Sequence, residues 1–281
     1  MGKIKITCDS ACDLPHALSR HYQIRQFPLS IRMGNQILLD KINVNDRALY
    51  NYSQKTGILP VISPVTETDY RKYFSEYIRD GYEVLHISIS RHLSDCFKNA
   101  SAAAEDLPQV SVVDSESFSA GAGQLALLAA DLVQADYQLQ ELTEAMNEMK
   151  KHLDVSCVLQ SSDFLHRMGK RGGFTALGEN FLKLKPELKL KNGNLRRGKT
   201  FRGDMEEAIL SYVSSCLGER RNIQTDRLFI TYSQVPAAIL GKVREIVGQI
   251  QPFDEILEIP DPCAVSCRCG PGSLGLAFMT L

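Results

Sequence analysis

The chain has 281 residues, 32 Lys and Arg against 33 Asp and Glu, and 44% hydrophobic residues. That apolar fraction supports a sizeable core and excludes global disorder, and the length suits one large domain or two ordinary ones. A formal net charge of -1 excludes bulk attraction to nucleic acid or to an anionic membrane, so any such affinity has to come from a local patch.

The N-terminal Met1-Gly2-Lys3-Ile4-Lys5-Ile6 alternates charged and apolar residues and has no signal-peptide core or myristoylation pattern. Runs such as Ala122–Val133 are too short to span a bilayer. A soluble cytoplasmic protein without a transmembrane segment is expected. Eight cysteines, at 8, 12, 96, 157, 216, 263, 267 and 269, read as reduced thiols. Cys8 with Cys12, and Cys263 with Cys267 and Cys269, could compose a zinc site, but small apolar residues are the reading preferred, and no metal is expected.

Lys3–Thr7 reads as a first strand. Asp13 is a candidate N-cap for a short helix ending at His21, with Pro15 in its first turn. Ile24–Arg32 reads as one extended run that turns at Gly34-Asn35 into Ile37–Leu39. Residues 60–66 read as a loop because Pro60 and Pro64 oppose regular structure. Thr66 with Asp69 opens a helix that carries Tyr70, Tyr73, Phe74, Tyr77 and Ile78 at helical spacing and stops at Gly81. Those tyrosines read as core.

Glu83–Ile89 is the next strand, followed by the loop Ser90–Ser94 and a helix over 95–106. Val110–Val113 is a short buried strand ending in Asp114-Ser115. Helices follow over Ser119–Val133 and Leu139–His152. Strand and helix thus alternate through the first 155 or so residues, which argues for a mostly parallel sheet with helices on both faces.

Ser156–Ser161 reads as a strand crossing between halves. Asn192-Gly193 marks a hairpin between Leu184–Lys191 and Leu195–Phe201. A helix at 205–217, a strand at 227–232, a helix at 236–249, a strand at 255–259 and a final apolar strand within 272–281 complete a smaller α+β domain. The fold class is therefore α/β with two domains, divided as 1–160 and 161–281.

Ligands of open parallel sheets bind beyond the carboxyl ends of strands. Four polar loops fall there: Asp9-Ser10, Ile62-Ser63, Ser90–Ser94 and Asp114-Ser115. The second and third feed helix N-termini, where free N–H groups favour an anion such as a carboxylate or phosphate. Ser63 and Ser94 could donate to it, or could simply cap their helices, which serine commonly does. Gly270-Pro271-Gly272 makes a tight loop without the Gly-Lys-Ser/Thr of a phosphate-binding Walker motif, and no G-x-G-x-x-G follows the first strand. No G-x-S-x-G, H-E-x-x-H or Cys/His nucleophile pair is present. His86 reads as core and His92 as an exposed loop residue.

The ordered set Asp9-Ser10-x-x-Asp13-Leu14-Pro15, the Ser63 loop, Leu93-Ser94 with Asn99-Ala100, Val113-Asp114-Ser115 with Gly121 and Gly123, Phe164-Leu165 ahead of Gly169, Lys185-Pro186, Asn192-Gly193 and Gly270–Gly275 resembles the DegV family of bacterial fatty-acid-binding proteins. The resemblance spans essentially the whole chain. It implies two α/β domains with one long-chain fatty acid held between them in an apolar tunnel, and no other cofactor. It also implies that the carboxylate lies near the loops of Ile62, Ser63 and Ser94, with Arg268 where the family has a histidine. Asp9, Ser10, Asp95, Asp114, Ser115, Gly270, Gly272 and Ser273 would line the pocket loops. Some family members present the lipid to a separate fatty acid kinase subunit, so a kinase catalytic subunit is an implied partner and the chain itself is non-catalytic. The sequence departs from the family pattern at Ile62 (usually Thr), at Asp95-Cys96 (usually Gly-Thr), at Arg268 and in the shifted Gly169–Gly173 stretch.

Lys183, Lys185, Lys189, Lys191, Arg196, Arg197, Lys199 and Arg202 crowd one hairpin against Glu187 alone. This hairpin, with Lys170 and Arg171, is expected to be a partner surface and not part of the tunnel, Lys189, Lys191 and Arg202 being its principal cations. The alternatives to a lipid carrier are a partner- or nucleic-acid-binding module built on that hairpin, although few aromatic residues are there to stack on bases, and a small-molecule hydrolase.

Overall fold

The computed structural model describes residues 3–160, 184–218, 220–260 and 269–281, the side chain of Asp46 excepted. Four strands, β1 (Lys3–Asp9), β2 (Arg25–Phe27), β6 (Tyr82–Ser88) and β7 (Val110–Asp114), form an entirely parallel sheet in the order β2-β1-β6-β7. The alternating pattern of β6 serves two faces. Leu85 and Ile87 join one apolar cluster with the helices α5 (Ser119–Gln134) and α6 (Leu139–Met149). Val84 joins a second with Tyr70 and Phe74 of α3 (Glu67–Arg79) and Ala100 of α4 (Cys96–Ala104). Burial on both faces explains the mostly apolar middle of β6, Val84 to Ile87.

Helix α3 begins as its sequence dictates. Thr66 accepts the Asp69 backbone N–H at 3.1 Å, and Tyr70 and Phe74 are fully buried. Helix α5 is built differently. Eleven of its sixteen residues are buried, and it touches β1 and β6 on one side and the second sheet on the other. Small residues allow this double contact.

A small sheet of three antiparallel strands, β4-β3-β5, stands beside the parallel sheet: β3 (Ser30–Met33), β4 (Gln36–Leu39) and β5 (Val61–Ser63). Three expectations change here. The run 24–32 is two strands in different sheets, broken at Pro28. The stretch 60–66 is not all loop: its prolines bracket β5 without interrupting it, and an edge strand tolerates proline nearby. A helix the sequence did not announce, α2 (Asp46–Thr56), is capped by Asn45, whose side chain accepts the Ala48 N–H at 2.9 Å. Its periodicity is faint because, of its described side chains, only Leu49 and Tyr50 are buried. Asp13 is also not the N-cap of the first helix, α1 (His16–His21). It ends a short 3-10 turn with φ +50°, and Pro15 precedes α1.

The second sheet runs β10-β9-β8-β13-β11-β12. Its strands are β8 (Leu153–Val158), β9 (Leu184–Lys191), β10 (Asn194–Arg202), β11 (Arg227–Tyr232), β12 (Glu255–Pro260) and β13 (Leu274–Met279). All its pairings are antiparallel except β11 with β12. Helices α7 (Met205–Gly218) and α8 (Ala237–Ile250) pack together over it through Tyr212, Val213, Leu240 and Val243. By pairing, β8 belongs wholly to this sheet, so the chain crosses between the two layered units at Leu153.

Candidate functional site

Strands β1, β6 and β7 end side by side, and their loops gather as the sequence predicts. Most of the polar groups there are spent on one another. Asp9 is fully buried. Its carboxylate accepts bonds from the Tyr70 hydroxyl, from Ser88 Oγ at 2.9 Å and from the Ile89 N–H at 2.8 Å, and His86 Nε2 lies 3.4 Å away. Burial alone would raise its pKa, but the adjacent His86 imidazole and the bonds from Tyr70 and Ile89 outweigh burial and hold the carboxyl below its ordinary value. Ser10 Oγ donates to Asp40 at 2.7 Å and accepts the Leu29 N–H at 3.1 Å, which ties β1 to the small sheet. Asp114 accepts Arg91 Nε at 2.5 Å and the Glu116 N–H at 2.9 Å. Ser115 Oγ closes its own turn on Ser117.

Ser94 caps its helix: its Oγ accepts the Cys96 N–H and donates to Cys96 Sγ, both at 3.2 Å. Burial first, and then the Asp9 charge, push the Cys96 thiol up to about 12, so it stays protonated and is no thiolate nucleophile. Asp95 is exposed. Ile62 faces inward toward Ile31 and Leu49, whereas Ser63 is exposed. The loops of Ser63, Ser94 and Gly270 nevertheless converge. Ile62, Leu93, Cys269, Phe118, Leu188 and Leu195 belong to one apolar cluster, and Asn99 Nδ2 donates to Val65 O at 2.8 Å, tying the first two loops together.

Between α5 and the second sheet lies an apolar cleft. Phe118 and Ala120 form one wall, Val155, Leu276 and Ala277 the floor, and Leu188, Leu190 and Leu195 of the β9–β10 hairpin the other wall. The cavity between these groups is only about 20 Å³. The cleft is a slit between apolar walls. From sequence the hairpin is expected to lie outside the tunnel. The structure corrects this, because strand alternation turns the hairpin leucines onto the cleft. Phe118, Val155 and Ala277 carried no signal that separates a cleft wall from ordinary core.

The hairpin is held across the cleft. Ser90 Oγ donates to Gly193 O at 2.7 Å. A Cβ on Gly193 would stand 2.6 Å from that hydroxyl and 2.9 Å from His92, at φ +74°, so the turn requires glycine. On β9, Glu187 is buried and accepts the Lys199 N–H at 2.7 Å, with Lys189 Nζ 3.4 Å away. Lys189 therefore neutralises a buried carboxylate. Lys191 and Arg202 are exposed. In the C-terminal loop, Ser273 Oγ donates to Gly270 O at 2.8 Å and Gly272 N–H to Ser233 O at 2.6 Å. Ser233 meets the Tyr50 hydroxyl at 2.7 Å, joining α2 to the second unit. Arg268, Lys170 and Arg171 lie outside the described residues, as do Cys263, Cys267 and the stretch from Phe164 to Gly173.

Among the described residues no group of three or more His, Cys, Asp or Glu could hold a metal, and no helix is long and apolar enough to cross a membrane. A family profile described as "uncharacterised protein, DegV family" matches residues 3–281. A DegV domain-containing protein of Clostridium perfringens is 28% identical over 76% of this chain and 78% of its own length. A protein of Thermotoga maritima named fatty acid-binding protein is 24% identical over 99% of this chain and 98% of its own. A solved DegV family protein from Thermus thermophilus, described for fatty acid binding, superposes with a TM-score of 0.87 at 25% identity, covering 99% of this chain and 100% of that one. With the family profile covering nearly every residue and the two-sheet architecture shared, the chain belongs to the DegV family.

Proposed function

We propose that the protein is a non-catalytic carrier that holds one long-chain fatty acid in the cleft between its two units and presents the carboxylate for phosphorylation by a separate kinase subunit. The observation that carries the reading is the slit itself, with apolar walls drawn from both units. Apolar walls on both sides suit an acyl chain once they part to admit it, and burial of the chain supplies roughly 0.8 kcal/mol per methylene. The fatty acid binding described for the Thermus thermophilus relative supports it. The head group belongs, on this reading, where the loops of Ser63, Ser94 and Gly270 converge. Ser63 supplies an exposed hydroxyl, and Ser94 contributes from its helix cap. Arg268 is the cation proposed to face the carboxylate. The fatty acid is the ligand and no other cofactor is required.

Replacing Leu190 by Asp tests the cleft. A carboxylate on that wall opposes burial of an acyl chain, so fatty acid affinity should fall about tenfold or more, while Leu190→Met should bind like the parent. Equal affinities for Leu190→Asp and the parent, measured by displacement of a fluorescent fatty acid, would remove the cleft from the account.

Presentation to a kinase is tested on the hairpin. Lys189 is unsuited to charge reversal because it faces Glu187. Lys191→Glu combined with Arg202→Glu should leave fatty acid binding and melting temperature unchanged and reduce phosphorylation of the bound lipid by a cognate kinase about tenfold, as losing charge pairs at an interface does. Unchanged phosphorylation would show that the hairpin is not the docking surface.

A further inference from the structure

We infer that the cleft takes a long-chain fatty acid bearing a hydroxyl group close to its carboxylate. The inference rests on the fatty-acid reading and narrows its ligand. Among the described residues four hydroxyl side chains line the cleft: Ser119, Ser156, Thr231 and Ser273. Three are satisfied by the protein. Ser119 Oγ donates to Asp13, Ser156 Oγ meets the Tyr212 hydroxyl at 2.9 Å, and Ser273 Oγ donates to Gly270 O at 2.8 Å. Thr231 is 7% exposed, and its hydroxyl has no hydrogen-bond partner among the described residues. A Cβ on Gly275 would stand 2.8 Å from Thr231 Oγ1, so the hydroxyl lies on the face of the sheet where a Gly275 side chain would project. Gly275 itself lines the cleft.

A second orphan faces the same way. Gln124 of α5 is 3% exposed, and its Oε1 has no partner among the described residues. At about 100° per residue it falls between Ala120, which lines the cleft, and Gly121, whose added Cβ would stand 2.4 Å from Val155 Cγ2 of β8. That arc of α5 faces the second sheet. Buried hydroxyls and amides are rarely left unpaired, because each then carries its full desolvation penalty. A hydroxyl on the ligand both donates and accepts, as do Gln124 and Thr231, whereas a bare hydrocarbon satisfies neither. Strand register fixes where that hydroxyl sits. Thr231 and Gly275 pair two residues from Ser233 and Ser273, whose loop is proposed for the head group. The next row on the same face, Phe229, Ala277 and Val155, is wholly apolar. The hydroxyl therefore belongs near the carboxylate and not along the tail.

Displacement of a fluorescent fatty acid from the full chain by palmitate, β-hydroxypalmitate and ω-hydroxypalmitate tests it. The β-hydroxy acid should bind about tenfold more tightly than palmitate, as satisfying a buried polar group does, and the ω-hydroxy acid should show no such gain. Thr231→Val should bring the affinities of palmitate and β-hydroxypalmitate together, whereas Thr231→Ser, which keeps a hydroxyl, should retain their ratio. Gln124→Met should lower the same ratio, and it carries the test if Thr231→Val does not fold. Equal affinity of the parent for palmitate and β-hydroxypalmitate, a gain shared by the ω-hydroxy acid, or a ratio unchanged in both Thr231→Val and Gln124→Met overturns the inference and leaves the fatty-acid reading standing. A parent that binds none of the three acids overturns that reading as well.

Discussion

Replacing Asp9 by Ala is expected to destabilise the protein by about 3–5 kcal/mol, the range for removing one partner from a buried charged network. Tyr70, Ser88, the Ile89 N–H and His86 would all lose the group they surround, and all four residues are buried. In a chain of this size that is a fall in melting temperature of roughly 10 °C. The pH dependence has a definite sign. The folded carboxyl titrates below its unfolded value of about 3.9, so its contribution is complete above that value and is lost as pH falls through the lower folded one. Asp9→Asn should therefore flatten the stability profile on the acid side, below about pH 4, and lower stability at neutral pH. An acid limb identical to that of the parent would show that Asp9 is not the group holding these loops.

The second large effect is expected in α5. A Cβ on Gly123 would stand 2.1 Å from the Cys12 carbonyl oxygen, and one on Gly121 2.4 Å from Val155 Cγ2. The first obstacle is backbone, which cannot rotate away. Gly123→Ala should cost about 3 kcal/mol, at the upper end of overpacking penalties. Gly248→Ala in α8 is the control, since nothing stands within 4 Å of its Cβ, and it should be neutral or stabilising by about 0.5–1 kcal/mol. Denaturant midpoints at unchanged slope report both. A tolerated Gly123→Ala would mean that α5 does not pack tightly against the turn that follows β1.

What the sequence disclosed follows from the strength of local signals. Strand β1 was legible from its alternation of charged and apolar residues, and β6 and β7 because burial on both faces leaves short apolar stretches between polar ends. Helix α3 was legible because the Thr66–Asp69 cap and the Tyr70–Phe74 spacing agree. Helix α2 escaped because its sequence is polar around only two buried side chains, and β5 escaped because flanking prolines imitate a loop. The site was half visible. The polar loops could be placed at strand ends, but sequence could not show that Asp9, Ser10, Asp114 and Ser115 bond chiefly to their own surroundings. Nor could it show that the hairpin with the most cations also supplies apolar walls to the cleft. Tyr70 reaches Asp9 across 61 positions of chain, and no local pattern announces such a contact.

The central claim is that one long-chain fatty acid occupies the cleft between the units. Native mass spectrometry of the full chain, purified gently and then incubated with a long-chain fatty acid, tests it most directly. The account predicts a single added mass equal to one fatty acid per chain, carried from the cell or taken up on incubation, and reduced in Leu190→Asp. A chain that shows only its own mass under both conditions would contradict it.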